Sequence, residues 1–191
     1  MSVSLVIGWD FRKNLRYPSP NFTLRKVLTM QLTNMAEKLG ALLKESEQNV
    51  AVAESSSGGL VSAALLSIPG ASAYFAGGGV IYTRDARREF LELPEDVVTM
   101  RASTEEYAMI VARAVREKMT TTWGLSETGA SGPTGNRYGD DAGHVCIAVS
   151  GPIEKTLTLE TGSADREKNM WAFANAALGL LEEAIGESTK Q

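Results

Sequence analysis

Ser55, Ser56 and Ser57 stand between Glu54 and the pair Gly58-Gly59, and the apolar run Val50-Ala51-Val52-Ala53 leads directly into them. A β-favouring run, a few small polar residues and then a helical pattern place hydroxyls where the backbone N–H groups and positive dipole end of a helix are open. Such a place suits an anion, and a hydroxyl beside it can serve as a nucleophile. The same composition also makes a plain turn and helix cap, because Ser and Gly are ordinary residues there. The segment matches neither the G-x-x-x-x-G-K-[ST] phosphate loop nor the G-x-S-x-G nucleophile elbow.

Few other residues offer familiar chemistry. His144 is the only histidine and Cys146 the only cysteine. A two-histidine metal site, a cysteine zinc site and an intramolecular disulfide are therefore excluded, and a histidine-based triad would have to use His144 itself. With no disulfide to protect, a cytoplasmic location is the default expectation. The formal charge of −4 and the lack of a dense Lys/Arg run argue against nucleic acid as a partner. Arg84, Arg87 and Arg88 form a small basic cluster, of a size for one phosphate or carboxylate or else a solvated helix face. No apolar run approaches the roughly 18 to 20 residues of a membrane span.

The elements that must position these residues follow from the patterning. At 191 residues, 43% hydrophobic and 22% charged, the chain is sized for one domain with a sizeable core. Met35, Leu39, Leu42 and Leu43 recur at helical spacing within residues 31–48. A strand is expected over Val50–Glu54, a helix from about Ser57 to Ser67 stopped by Pro69-Gly70, and a strand within Ala76–Tyr82. A short helix should cover Arg84–Leu91. Ser103-Thr104-Glu105-Glu106 has the S-x-x-E capping pattern ahead of a helix carrying Tyr107, Val111 and Val115. A strand over Trp123–Thr128 runs into the loop Gly129-Ala130-Ser131-Gly132-Pro133-Thr134-Gly135. A hairpin of His144–Val149 and Lys155–Leu159 and a helix over Ala164–Ile185 close the chain.

Strands separated by helices in this order imply a three-layer α/β/α sandwich with a mixed, largely parallel sheet and one antiparallel hairpin strand. In such sheets ligands lie at the carboxyl ends of the strands, so the turns after Glu54, Tyr82 and Thr128 should meet in one cleft. Residues 1–30, with Trp9, Arg12, Lys13, Pro18 and Pro20, lack a signal-peptide pattern and are expected to be a poorly ordered extension to a domain over residues 31–187.

Five segments in register, Ala53-Glu54-Ser55-Ser56-Ser57-Gly58-Gly59, Pro69-Gly70-Ala71-Ser72-Ala73, Gly78-Gly79-Val80-Ile81-Tyr82, Gly129-Ala130-Ser131-Gly132-Pro133 and Gly162 with Asp165-Arg166, resemble the CinA C-terminal domain family. The resemblance covers about residues 31–185. It implies an α/β/α domain and hydrolysis of the carboxamide of nicotinamide mononucleotide to nicotinic acid mononucleotide and ammonia, with no metal or organic cofactor and often with a homo-oligomeric state. Its nucleophile position falls on Ser55. Glu54, Gly58 and Gly59 of the same turn, with Thr128 and Gly129, would line the substrate, helix-start N–H groups would hold an oxyanion, Tyr82 would orient, and Arg166 would clamp the phosphate.

The pattern departs at the residue expected to take the serine proton. The family has a lysine five residues after its tyrosine; this chain has Arg87, and a guanidinium with a pKa above about 12 is no general base near neutral pH. Glu54, Asp85 or His144 can be considered as replacement bases, and Arg87 as a stabiliser of negative charge. Ser56 and Ser57 replace a usual Cys and Thr, and the loop Asn136–Gly143 lacks a usual Lys-Pro pair. Two readings stand: an amidohydrolase using Ser55, Tyr82 and Arg87, or a catalytically silent relative that binds a nucleotide or a protein partner.

Overall fold

The computed structural model describes residues 32–190; the expected extension over residues 1–30 lies outside the described residues. Helix α1 (Leu32–Glu45) precedes strand β1 (Val50–Glu54), helix α2 (Leu60–Leu66), a 3₁₀ turn at Ala71–Ala73 and strand β2 (Phe75–Val80). Helices α3 (Arg84–Leu91), α4 (Glu95–Thr99) and α5 (Glu105–Met119) follow, then β3 (Trp123–Gly129), β4 (His144–Ser150), β5 (Lys155–Glu160) and α6 (Arg166–Ser188). The sheet order is β2-β1-β3-β4-β5. β1 runs parallel to both β2 and β3, and β4 is antiparallel to β3 and β5, so a single strand opposes the rest. The fold is the α/β/α sandwich expected.

Alternation along the strands decides what each helical layer meets. Val50, Val52, Trp123, Leu125, Val145, Ile147 and Val149 point into a core shared with Leu39 and Leu43 of α1, Leu65 of α2 and Phe173, Leu181 and Ile185 of α6. Each such side chain, once buried, stabilises the fold by about 1.5–3 kcal/mol. The opposite face is built from small residues. Ala51, Ala53, Cys146 and Ala148 face Ala108, Ala112, Val111 and Val115 of α5. A Cβ on Gly124 would collide with the Ala112 carbonyl. That close approach lets Ser126 Oγ donate 2.5 Å to the Ala108 carbonyl.

Two boundaries differ from expectation for local reasons. α2 begins at Leu60 rather than near Ser57, because Gly58 (φ 67°) and Gly59 (φ 99°) are left-handed and keep residues 55–59 a turn. α5 is capped by Thr104, whose Oγ1 accepts from Tyr107 N at 3.2 Å; Ser103 sits before the cap with φ 58°. α4, five residues led by Pro94, was not anticipated. No helix among the described residues is long and apolar enough to cross a membrane.

Candidate functional site

The carboxyl ends of β1 and β3 and the chain after β2 open onto a cleft of about 440 Å³ that Ser55, Tyr82, Thr83, Arg84, Arg87 and Thr128 line together with the 136–138 loop. An adjoining lobe of about 180 Å³ is bounded by Ser56, the loop Gly129–Gly132 and Arg166, and shares Tyr82, Gly129 and Asn136 with the first. Four arginines line the two lobes and no acidic residue does: Arg84, Arg87 and Arg137 in one, Arg166 in the other. Such a basin favours an anionic ligand.

The turn itself is governed by two buried glutamates. Glu54 Oε2 accepts from Gly59 N (2.9 Å), Val61 N (3.0 Å) and Ser57 Oγ (2.8 Å), while Oε1 accepts from Ser62 N (2.8 Å) and Ser62 Oγ (2.6 Å). Glu127 Oε2 accepts from Ser55 N (3.1 Å), Ser57 N (2.8 Å) and Ser57 Oγ (2.7 Å), and Oε1 meets Ser56 Oγ. One Ser57 hydroxyl thus lies between two carboxyl groups with a single proton to offer. Burial pushes the Glu127 carboxyl above its usual range, against the lowering effect of the Ser56, Ser57 and Ser55 donors.

This arrangement corrects three expectations. Glu54 is fully buried and its oxygens accept from α2 and the serines, an arrangement that suits neither a substrate contact nor a base for Ser55. The Gly59 N–H is consumed by Glu54 and the Gly58 N–H by the Ser55 carbonyl at 3.3 Å, so neither glycine presents a donor to a ligand. Val61 and Ser62 N–H also go to Glu54. Among the described residues, Ser56 holds the one N–H from residue 55 to 62 with no protein acceptor, leaving one candidate oxyanion donor of the expected set.

Ser55 lies half-buried at the floor of the larger lobe, and among the described residues nothing accepts a hydrogen bond from its Oγ. The proposed replacement bases are engaged elsewhere. Asp85 is exposed and pairs with Arg88 at 2.8 Å. His144 binds Glu160 through Nδ1 and faces the Ser103 carbonyl at 3.0 Å through Nε2, and it lines neither lobe. Tyr82 is 55% exposed at the mouth that joins the lobes. Thr128 is buried, with Oγ1 accepting from Ser103 N at 3.3 Å, and Gly129 forms part of both lobes.

The basic cluster of α3 divides. Arg88 turns outward to Glu95, donating from Nε and Nη2 at 2.7 Å each. Arg84 stays exposed at the cleft. Arg87 turns inward: it is 6% exposed, stacks 5.1 Å from the Tyr107 ring centroid, and its Nε and Nη1 meet no hydrogen-bond acceptor. Tyr107 Oη is likewise buried without a partner. Both residues border the crevice beneath the lobe, beside Ser55 and Thr128.

The far wall is the loop after β3, fastened to the first turns of α6. Asn169 Nδ2 donates to the carbonyls of Ser131 (2.8 Å) and Ser163 (2.7 Å), while its Oδ1 accepts from Thr161 Oγ1 (2.6 Å). Ser131 Oγ donates to the Ser56 carbonyl at 2.7 Å, tying the loop to the serine turn. Arg166 Nη1 donates to the Gly132 carbonyl at 2.7 Å, which holds the arginine at the smaller lobe with its other donors uncommitted.

Glu127, Tyr107 and Asn169 are the site residues that sequence reasoning missed. Only Glu127 had a signal, the one charged residue of the expected strand Trp123–Thr128. A three-layer domain with a serine turn at a strand end, a glycine loop opposite and an arginine-lined cleft between is, as a class, an α/β/α sandwich domain. A sequence model of the CinA C-terminal domain matches residues 32–185, and the chain belongs to that family. It is 35% identical over 164 residues to a CinA-like protein of Desulforapulum autotrophicum and 38% identical over 155 residues to one of Gloeobacter violaceus. Those matches cover 84% and 79% of this chain but 38% and 36% of the relatives, so the chain spans well under half of their length. The competence/damage inducible protein CihA of Agrobacterium tumefaciens superposes with a TM-score of 0.74 at 26% identity, over 81% of this chain and 95% of that one.

Proposed function

We propose that this chain is a CinA-domain protein that binds a phosphorylated pyridine nucleotide in the arginine-lined cleft without measurable hydrolysis of a carboxamide. The observation that carries this reading is the pairing of an unassisted Ser55 with a buried Arg87. No group able to take the serine proton reaches Ser55 Oγ among the described residues, and loss of a general base typically costs roughly 10²- to 10⁴-fold in rate. The anion-binding side is intact: Arg166 stands at the smaller lobe for a phosphate, with the loop carbonyl of Gly132 fixing its position.

The amidohydrolase reading keeps one observation in its favour: Ser55 Oγ is unhindered by any internal hydrogen bond and opens onto the cleft next to the unpaired Ser56 N–H. Attack would form the Oγ–C bond as the carbonyl electron pair moves to oxygen beside that N–H. Breaking the C–N bond would release ammonia, and water would then cleave the acyl ester. With no side-chain base, the serine proton would have to leave to water.

Ammonia release from nicotinamide mononucleotide separates the two. The silent reading expects no measurable turnover by the native chain and turnover in Arg87→Lys. Native turnover that vanishes in Ser55→Ala would overturn it in favour of the amidase.

A further inference from the structure

A guanidinium remains protonated at any physiological pH, yet that of Arg87 is almost completely buried with two nitrogens unpartnered. No carboxyl group of the described residues hydrogen-bonds to it, although Glu127 borders the same crevice. Asp85 is committed to Arg88 at the surface, and the oxygens of Glu54 and Glu127 are taken by the serine turn and the start of α2. A buried cation lacking a counterion is unfavourable in the empty site, and it becomes favourable once an anion arrives. Tyr107 supports the guanidinium face-on and contributes a second buried donor without an acceptor. Both stand by Ser55 and Thr128, the position at which the reacting end of a ligand would sit, and well apart in sequence from the phosphate-side Arg166.

We infer that the wall beside Ser55 receives a carboxylate of the bound nucleotide on the Arg87 guanidinium, so that the ligand is the acid and not the amide. The inference rests on the nucleotide reading above and adds the chemical class of the group at the serine end. A neutral carboxamide offers the guanidinium a carbonyl oxygen but no counter-charge; a carboxylate supplies both. A family site arranged around Ser55 then acts as a receptor for an acid nucleotide, with Arg87 fixing one end and Arg166 the other.

Calorimetric titration with nicotinic acid mononucleotide and with nicotinamide mononucleotide tests this directly. The native chain is expected to bind the acid about tenfold or more tightly than the amide. In Arg87→Met the two affinities should converge to within about twofold through loss of acid binding. Arg166→Ala should weaken both ligands alike. Circular dichroism and thermal unfolding establish that each variant is folded. Equal affinities in the native chain, or an acid preference that survives in Arg87→Met, would overturn the carboxylate assignment while leaving the nucleotide reading in place. Binding of neither ligand to the native chain would overturn both.

Discussion

The serine turn and the α3 wall face each other across one cleft and treat their polar groups in opposite ways. In the turn, two buried carboxyl groups collect donors from Ser55, Ser56, Ser57, Gly59, Val61 and Ser62, leaving almost nothing over for a ligand. On the wall, Arg87 and Tyr107 are as deeply buried, yet their donors are unmet. Buried polar groups are normally satisfied, so the first pattern marks a scaffold and the second is the exception that the proposed ligand site accounts for. Glu54, expected from the sequence to line the substrate, instead holds α2 onto β1.

The comparison breaks most visibly at the two glutamates. Both oxygens of Glu54 accept from N–H groups, so Glu54→Gln turns an amide NH₂ against a backbone donor and leaves buried groups unpaired. A loss of about 3–5 kcal/mol is expected in urea unfolding. Asn169→Ala comes next: it removes three hydrogen bonds, one to Ser131 that fastens the glycine loop to α6 and two to Thr161 and Ser163 of the connection between β5 and α6. It should cost about 2–3 kcal/mol and weaken nucleotide binding as well, measured by unfolding and calorimetry on the same sample.

Glu127→Gln should be mild, changing stability by less than about 1 kcal/mol near pH 7. Its carbonyl can replace Oε2 for Ser55 and Ser57, and its NH₂ can donate to Ser56 Oγ. A cost for Glu127→Gln as large as that of Glu54→Gln would show that the amide fits neither position and erase the distinction within the turn. The smallest effect is expected at His144. Burial disfavours its charged form, but Glu160 and the Ser103 carbonyl outweigh that and raise its pKa overall. Its contribution is therefore full below the unfolded value of about 6.5 and lost as pH rises through the folded one. Because Glu160 is exposed, a few tenths of a kcal/mol is expected, read as a gap in urea midpoints between the native chain and His144→Gln that narrows from pH 5.5 to 8.5.

Local order was the part most open to sequence reasoning, because strand alternation and helical spacing fix β1, α3 and the hairpin without tertiary information. The convergence of the Ser55, Tyr82 and Thr128 turns on one cleft also follows from sheet topology. What could not be read was the pairing of charge. Glu54 has the same letters beside it whether its side chain meets substrate or five donors of its own chain, and Glu127 joins it only because β3 lies next to β1 with Ala53 opposite Ser126. Arg87 looked like one of three surface arginines; the clue was Leu91 four residues on, which shares its buried face of α3.

The most direct test of the account is urea unfolding of the native chain and Arg87→Met, each with and without nicotinic acid mononucleotide. If the wall is reserved for a ligand anion, Arg87→Met is more stable than the native chain when empty, by about 1–2 kcal/mol, and the nucleotide stabilises the native chain more than it stabilises Arg87→Met. An Arg87→Met chain that is less stable when empty, and stabilised by the nucleotide as much as the native chain, would contradict it.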